Sequence, residues 1–230
     1  MTVLGVKRAE ILMARSEIQT ERMLNYFIDA TAKLIKEEGI KNISIRKIAK
    51  EAGYTSSTIY NYFSEVSHLI FFAAMRFVEQ YIEDLPKYSA RATDPLEKYL
   101  LGWECFCDHS FREPELYHAI FIADLGEHPE ELLKHYSSIY RFDTIQLPEE
   151  LEKILTEQNL STRSREVVEK YAEKGVFKKE EIEQLSEITI LIWQGMMTSL
   201  LNNRVTYTPE EASKKTMEYI RDITVNMAKM

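Results

Sequence analysis

The 230 residues carry 37 acidic and 29 basic side chains, a formal net charge of −8, and are 45% hydrophobic. That balance excludes a fibrous or disordered chain and fits one large or two small globular domains. Only 7 glycines and 6 prolines leave little room for a turn-rich sheet protein, and no apolar run reaches the length of a membrane span.

The charge is uneven. Residues 1–70 hold 10 Lys and Arg against 8 Asp and Glu, so the excess of acid lies in the remainder. Nucleic acid would be repelled by that remainder and could bind only at the N-terminal part. Cys105 and Cys107 are the only cysteines and cannot form a disulfide framework. At the start, Lys7 and Arg8 follow the apolar residues instead of preceding them, which is not a signal-peptide pattern. Reduced thiols and this start predict a cytoplasmic protein.

Residues 1–20 form an extension with Lys7, Arg8 and Arg15, and with Ile11, Leu12 and Ile18 as anchors. Ser16-Glu17-Ile18-Gln19 has capping-box spacing. Glu10, Glu17 and Glu21 dilute its charge, so it reads as a helical extension or frayed end in preference to a basic arm on DNA. A first long helix is predicted from Thr20 or Glu21 to Glu38. Its stripe is Met23, Leu24, Phe27, Ile28, Thr31, Leu34 and Ile35.

The stretch Ser44 to Phe63 reads as two short helices about a tight turn. Ile45 to Ala52 forms the first. Gly53 follows where a helix ends on a left-handed residue, and glycine has no Cβ to oppose that conformation. Thr55 suits an N-cap, and the second helix runs from Ser56 to about Phe63. Ile48, Ala52, Tyr54, Ile59 and Tyr62 are expected to face inward, with small Ala49 at the crossing. The second helix exposes Ser56, Ser57, Tyr60 and Asn61 without a single charge. A solvated surface helix usually carries Lys and Glu, whereas a helix entering a major groove needs donors and acceptors for base edges. Lys41, Arg46, Lys47 and Lys50 cluster around the first helix, the kind of group that contacts phosphates. This is a helix-turn-helix pattern.

Residues from about Met23 to Leu69 resemble the DNA-binding domain of the TetR family of bacterial transcriptional regulators. The resemblance rests on Asp29-Ala30, Gly39, Ile45, Ile48-Ala49, Ala52-Gly53 and above all Thr58-Ile59-Tyr60-Asn61-Tyr62-Phe63. It departs at Ile35, where the family usually has Phe, at Ser57, a common Gly, and at Val66, where a phosphate-contacting Lys is usual. It implies three domain-scale parts: the extension 1–20, a helix-turn-helix domain 21–67, and a helical effector-binding and dimerisation domain 68–230. It also implies DNA contacts from Ser44, Arg46, Thr55, Ser56, Ser57, Tyr60 and Asn61, joined by Lys41, Lys47 and Lys50.

Beyond the motif, Ser64 to Leu85 reads as one long helix stopped by Pro86, which the resemblance makes the link between the two domains. Asp94-Pro95 starts a helix to about Ser110. Further helices are predicted over Glu115–Leu125, Pro129–Tyr140, Pro148–Gln158, Ser161 or Thr162 to Lys174, Lys178–Asn203 and Pro209–Ala228. No strand or internal repeat is evident, so the fold class is all-α. In the last two helices Ile188, Ile190, Leu191, Ile192, Trp193, Met196, Met197, Leu200 and Leu201 exceed one buried stripe, and Met217, Ile220, Ile223, Thr224 and Met227 make a second. The resemblance implies a homodimer through these two helices.

The five histidines form no H-E-x-x-H, and no nucleophile elbow, phosphate loop or dinucleotide fingerprint is present. No catalysis, metal or cofactor is expected. What remains is a pocket between helices. Trp103, Phe106, Phe111, Tyr117, Phe121, Tyr136, Tyr140, Trp193 and Met197 are its candidate walls, and His109 and His118 its polar contacts. The expected ligand is an apolar or aromatic small-molecule effector, as the resemblance implies. The sequence therefore predicts a ligand-responsive repressor binding a palindromic operator as a homodimer. The rival is a helical ligand-binding or adaptor protein that has lost sequence-specific DNA binding.

Overall fold

The computed structural model describes residues 3–125 and 179–227, with side chains from Ile18 onward in the first stretch and from Glu181 in the second. Every regular element among them is helical. Two compact units are present. One contains the residues up to Arg76 together with Asp124 and Leu125, and the other contains Phe77–Ala123 with the C-terminal helices.

In the first unit, α1 spans Val3–Glu38, α2 Ile45–Ala52, α3 Ser56–Tyr60 and α4 Val66–Ala74. A 3-10 turn, Ile40–Asn42, links α1 to α2. The α1 stripe packs as predicted: Leu24, Phe27, Ile28, Thr31, Leu34 and Ile35 are buried, and Thr31 returns its hydroxyl to the Phe27 carbonyl at 2.8 Å. Ile48, Ala49 and Ala52 of α2, Ile59 of α3 and Leu69 and Phe71 of α4 complete this core. His68 is buried at the start of α4. Its Nδ1 lies 3.1 Å from Ser64 Oγ and its Nε2 3.1 Å from the Leu125 carbonyl. A carbonyl can only accept, so Nε2 carries the hydrogen there.

Three expectations about this unit are corrected. The first helix does not begin at Thr20 or Glu21. It runs unbroken from Val3, so Ser16 lies inside a helix and not at its start. The extension is therefore helical, while its side chains before Ile18 lie outside the described residues. The second motif helix ends at Tyr60 with Asn61 as its C-cap, short of Phe63. Tyr54 does not face inward but is 44% exposed. Its ring lies edge-on against Phe27 and Tyr26 of α1, with centroids 5.5 and 5.9 Å away, and leaves its outer side in solvent.

The single helix expected over Ser64–Leu85 is three elements: α4, a 3-10 turn Met75–Phe77, and α5 over Glu79–Ser89. Met75, which opens the 3-10 turn, and Val78, which caps α5, are both buried. Pro86 does not stop the helix. It sits exposed inside α5, which continues until the Ala90 N–H donates to the Pro86 carbonyl at 2.9 Å. A proline inside a helix removes one hydrogen bond and bends the helix without having to end it.

In the second unit, α5 packs on α6 (Pro95–Arg112), and α6 on α7 (Pro114–Phe121). The C-terminal helices α8 (Lys179–Leu201) and α9 (Pro209–Met227) pack on each other, α8 on α7 and α9 on α6. The Asp94 carboxylate accepts from the Glu97 N–H at 2.9 Å, with Pro95 as first helical residue, as the sequence predicts. The helix expected to Leu125 ends at Phe121. The helices expected over Pro129–Tyr140, Pro148–Gln158 and up to Lys174 lie outside the described residues.

Candidate nucleic-acid interface and aromatic core

The turn is built by its own residues. Gly53 caps α2 at φ 68 and ψ 26, the left-handed conformation that the sequence assigned to it. The Tyr54 N–H then donates to the Ala49 carbonyl at 2.9 Å and closes the turn. Thr55 is extended, and its Oγ1 accepts from the Thr58 N–H at 3.2 Å, satisfying one of the unpaired donors at the start of α3. Ser44 performs the same service for α2, accepting from the Lys47 N–H at 3.4 Å.

Buried Ile59 anchors α3 from beneath, with buried Phe63 following it. Ser57, Tyr60 and Asn61 are exposed and Ser56 is half-buried, so the outward side of α3 offers hydroxyls and an amide but no charge. Tyr60 is 50% exposed. On α2, Arg46, Lys47 and Lys50 are exposed, as are Ser44 before it and Lys41 in the preceding turn. The structure thus gathers all ten of these predicted positions on one helix pair and its flanks. One relationship was not foreseen: Lys47 Nζ is held 2.5 Å from Glu38 Oε2 at the end of α1. Lys33 of α1 likewise pairs with Glu51 of α2, and Arg76 pairs with Asp29.

The second unit is organised around Phe106. Trp193, Phe121, Tyr117, Trp103 and Tyr81 surround it with ring centroids 5.0, 5.3, 5.7, 5.7 and 5.7 Å away. Five predicted pocket residues are therefore brought together. Met197 is buried one turn beyond Trp193 on α8, Phe111 is buried on α6, and His118 is half-buried on α7. Tyr136 and Tyr140 lie outside the described residues. His109 is drawn to α5, its Nε2 3.2 Å from Asp84 Oδ2 and its ring 5.9 Å from that of Tyr81. The Asp84 carboxyl is held below the usual range, first by its hydrogen bond from Lys87 at 2.7 Å.

Polar residues that the sequence did not single out tie this unit together. Trp193 Nε1 donates to Ser110 Oγ at 2.9 Å, satisfying a buried indole. Asp108 accepts from Tyr88 at 2.7 Å and from Ser213 at 2.5 Å, joining α5, α6 and α9. A buried Trp needs a hydroxyl or carbonyl partner, so Ser110 carried a signal; the Asp108 contacts are distant in sequence and carried none. Burial pushes the Cys105 thiol up to about 12, with the Asp84 charge adding to it, and burial raises the Cys107 thiol as well. Neither is placed as a reactive thiolate. Among the described residues no group of His, Cys, Asp and Glu is arranged to hold a metal ion, and no helix is long and apolar enough to cross a membrane.

A left-handed-capped helix pair, carried on a long first helix and turning an uncharged polar helix outward, defines a helix-turn-helix protein. Residues 27–69 match the family model described as bacterial regulatory proteins, tetR family. The chain is 26% identical over 87 residues to the HTH-type transcriptional regulator HbdR of Aromatoleum sp. (strain CIB), covering 38% of each chain. It is 35% identical over 85 residues to PksA of Bacillus subtilis (strain 168), another HTH-type regulator, covering 36% of this chain and 41% of PksA. The matches thus span well under half of these relatives. In fold, the chain resembles Thermus thermophilus FadR, a TetR-family repressor solved with lauroyl-CoA (TM-score 0.56, 15% identity, 88% of this chain and 93% of that one). It also resembles RolR, solved with resorcinol (TM-score 0.59, 17% identity, 94% of each chain). Residues 27–69 thus match the DNA-binding domain of the TetR family, and the named relatives that the chain is similar to are HTH-type transcriptional regulators.

Proposed function

We propose that this chain is a cytoplasmic, homodimeric transcriptional repressor that reads a palindromic operator through α3 and is released from it by a small apolar or aromatic effector. The observation that carries the reading is the outward side of α3, where Ser57, Tyr60 and Asn61 stand exposed on a helix without charge. Asn can pair adenine through two hydrogen bonds, and hydroxyls serve bases or phosphates. Ser44 and Arg46 approach from α2, with Thr55 and Ser56 at the start of α3, while Lys41, Lys47 and Lys50 supply phosphate contacts. Two such heads must reach half-sites about 34–36 Å apart, which a two-fold dimer through α8 and α9 provides.

The domain assignment follows: residues 21–67 read DNA, and 68–230 bind effector and dimerise. The effector site is assigned to Trp103, Phe106, His109, Tyr117, His118, Phe121, Trp193 and Met197. The aromatic cluster around Phe106 supports this assignment. Such a switch works only if the effector binds one head spacing better than the other. The test is direct. Tyr60→Ala and Asn61→Ala abolish site-specific binding while leaving the dimer intact. Unchanged operator affinity in both variants would refute the assignment of α3.

A further inference from the structure

Gly195 stands inside α8, exposed to solvent, and a Cβ built on it would meet nothing within 4 Å. Its φ is not among the positive values, which among described glycines belong to Gly39 and Gly53. A glycine inside a helix costs stability relative to alanine, because it surrenders more backbone freedom on folding. Neither strain nor crowding within its own subunit accounts for a glycine at this position.

The helix face that carries it is unusual in two further ways. Leu191, one turn earlier, is 59% exposed, the most of any large hydrophobic residue described. Ile188 and Ile192 beside it are half-buried. From Ile188 to Asn203 the sequence contains no charged residue, in a chain that is 29% charged. A neutral apolar face is complementary to itself, as a two-fold contact between identical surfaces demands; a face of one charge sign would repel its twin.

We propose that α8 meets a helix of a second copy of this chain at Gly195, where the missing side chain lets the two backbones approach closely. This rests on the dimer reading given above and adds its positioning residue. Helix separation is set by the side chains at the point of contact. A side chain at 195 therefore pushes the subunits apart and changes the distance between the reading heads. Gly195 acts on DNA recognition through the dimer, without touching DNA.

Gly102 provides the control, since it lies inside α6 and its Cβ position is equally open. The experiment measures exchange between differently labelled dimers of the full chain, with helicity followed by circular dichroism. Gly195→Ala is expected to exchange about tenfold faster or more, and Gly195→Leu faster still, while Gly102→Ala stays within about twofold of the unmodified protein. All three keep or gain helicity. Unmodified protein that dimerises, with both Gly195 variants exchanging at its rate, would overturn the inference and leave the dimer standing. Unmodified protein that is monomeric at micromolar concentration would overturn the dimer reading itself.

Discussion

Lys47 Nζ lies 2.5 Å from Glu38 Oε2, so one cation of the cluster around α2 is already partnered inside its own chain. A phosphate must compete with that carboxylate, and part of the counterion release that drives DNA association is forfeited. Lys47→Ala is therefore expected to weaken DNA binding less than Lys50→Ala. Glu38→Gln should raise affinity about two- to fivefold at low salt and steepen the dependence of log K on log salt by up to about one. Fluorescence anisotropy over a salt series checks both, and a greater loss from Lys47→Ala than from Lys50→Ala would contradict them.

The turn at Gly53 makes a cleaner prediction, because a Cβ there would touch nothing within 4 Å and the only obstacle is φ +68. Gly53→Ala should cost about 1–2 kcal/mol of unfolding free energy, and Gly53→Asn less, since Asn visits the left-handed region more readily. Urea titration with an unchanged m-value measures it. A neutral result for Gly53→Ala would mean that the turn is not held in this conformation.

At the start of α3, Thr55→Ala removes the acceptor for the Thr58 N–H, 3.2 Å away. The expected loss is about 1 kcal/mol, largely restored by Thr55→Ser. Because α3 has only five residues, loss of its cap should also weaken operator binding. Stability lost without any change in operator affinity would show that α3 need not be preformed to read DNA.

These elements were legible in the sequence because their causes are local. Gly53, Thr55 and the Asp94-Pro95 pair act on residues within a few positions, through backbone geometry and capping. The elements misread depend on distant neighbours. Nothing near Met75 or Val78 marks a change from α to 3-10 geometry; both are buried, which only packing decides. Pro86 carries a strong local signal to stop, and α5 overrides it. Tyr54 has an apolar ring and a polar tip, and its partly exposed place against Tyr26 and Phe27 depends on packing with α1, nearly thirty residues earlier. The outward face of α3 was readable for the opposite reason, since the absence of charge on a surface helix is a property of composition alone. The pairing of Lys47 with Glu38, nine residues apart across a turn, was not.

The buried thiols predict a pH dependence of stability. In the unfolded chain a thiol ionises near its ordinary value of 9.0, but folded Cys105 ionises only at about 12. As pH rises through this window the unfolded state loses a proton that the folded state keeps, so stability falls. The slope reaches about 1.4 kcal/mol per pH unit for each thiol. Cys105→Ala should flatten the fall between these limits in chemical denaturation, and iodoacetamide at pH 8 should label both thiols only after unfolding. Rapid labelling of the folded protein would contradict their burial.

The central claim is most directly tested by selecting binding sites for the full-length protein from random DNA duplexes and titrating the winner with salt. The account predicts a palindrome with two half-sites about one helical turn or more apart, and an affinity that falls steeply as salt rises. Folded, dimeric protein that enriches no sequence would contradict it and leave a helical ligand-binding or adaptor protein in its place.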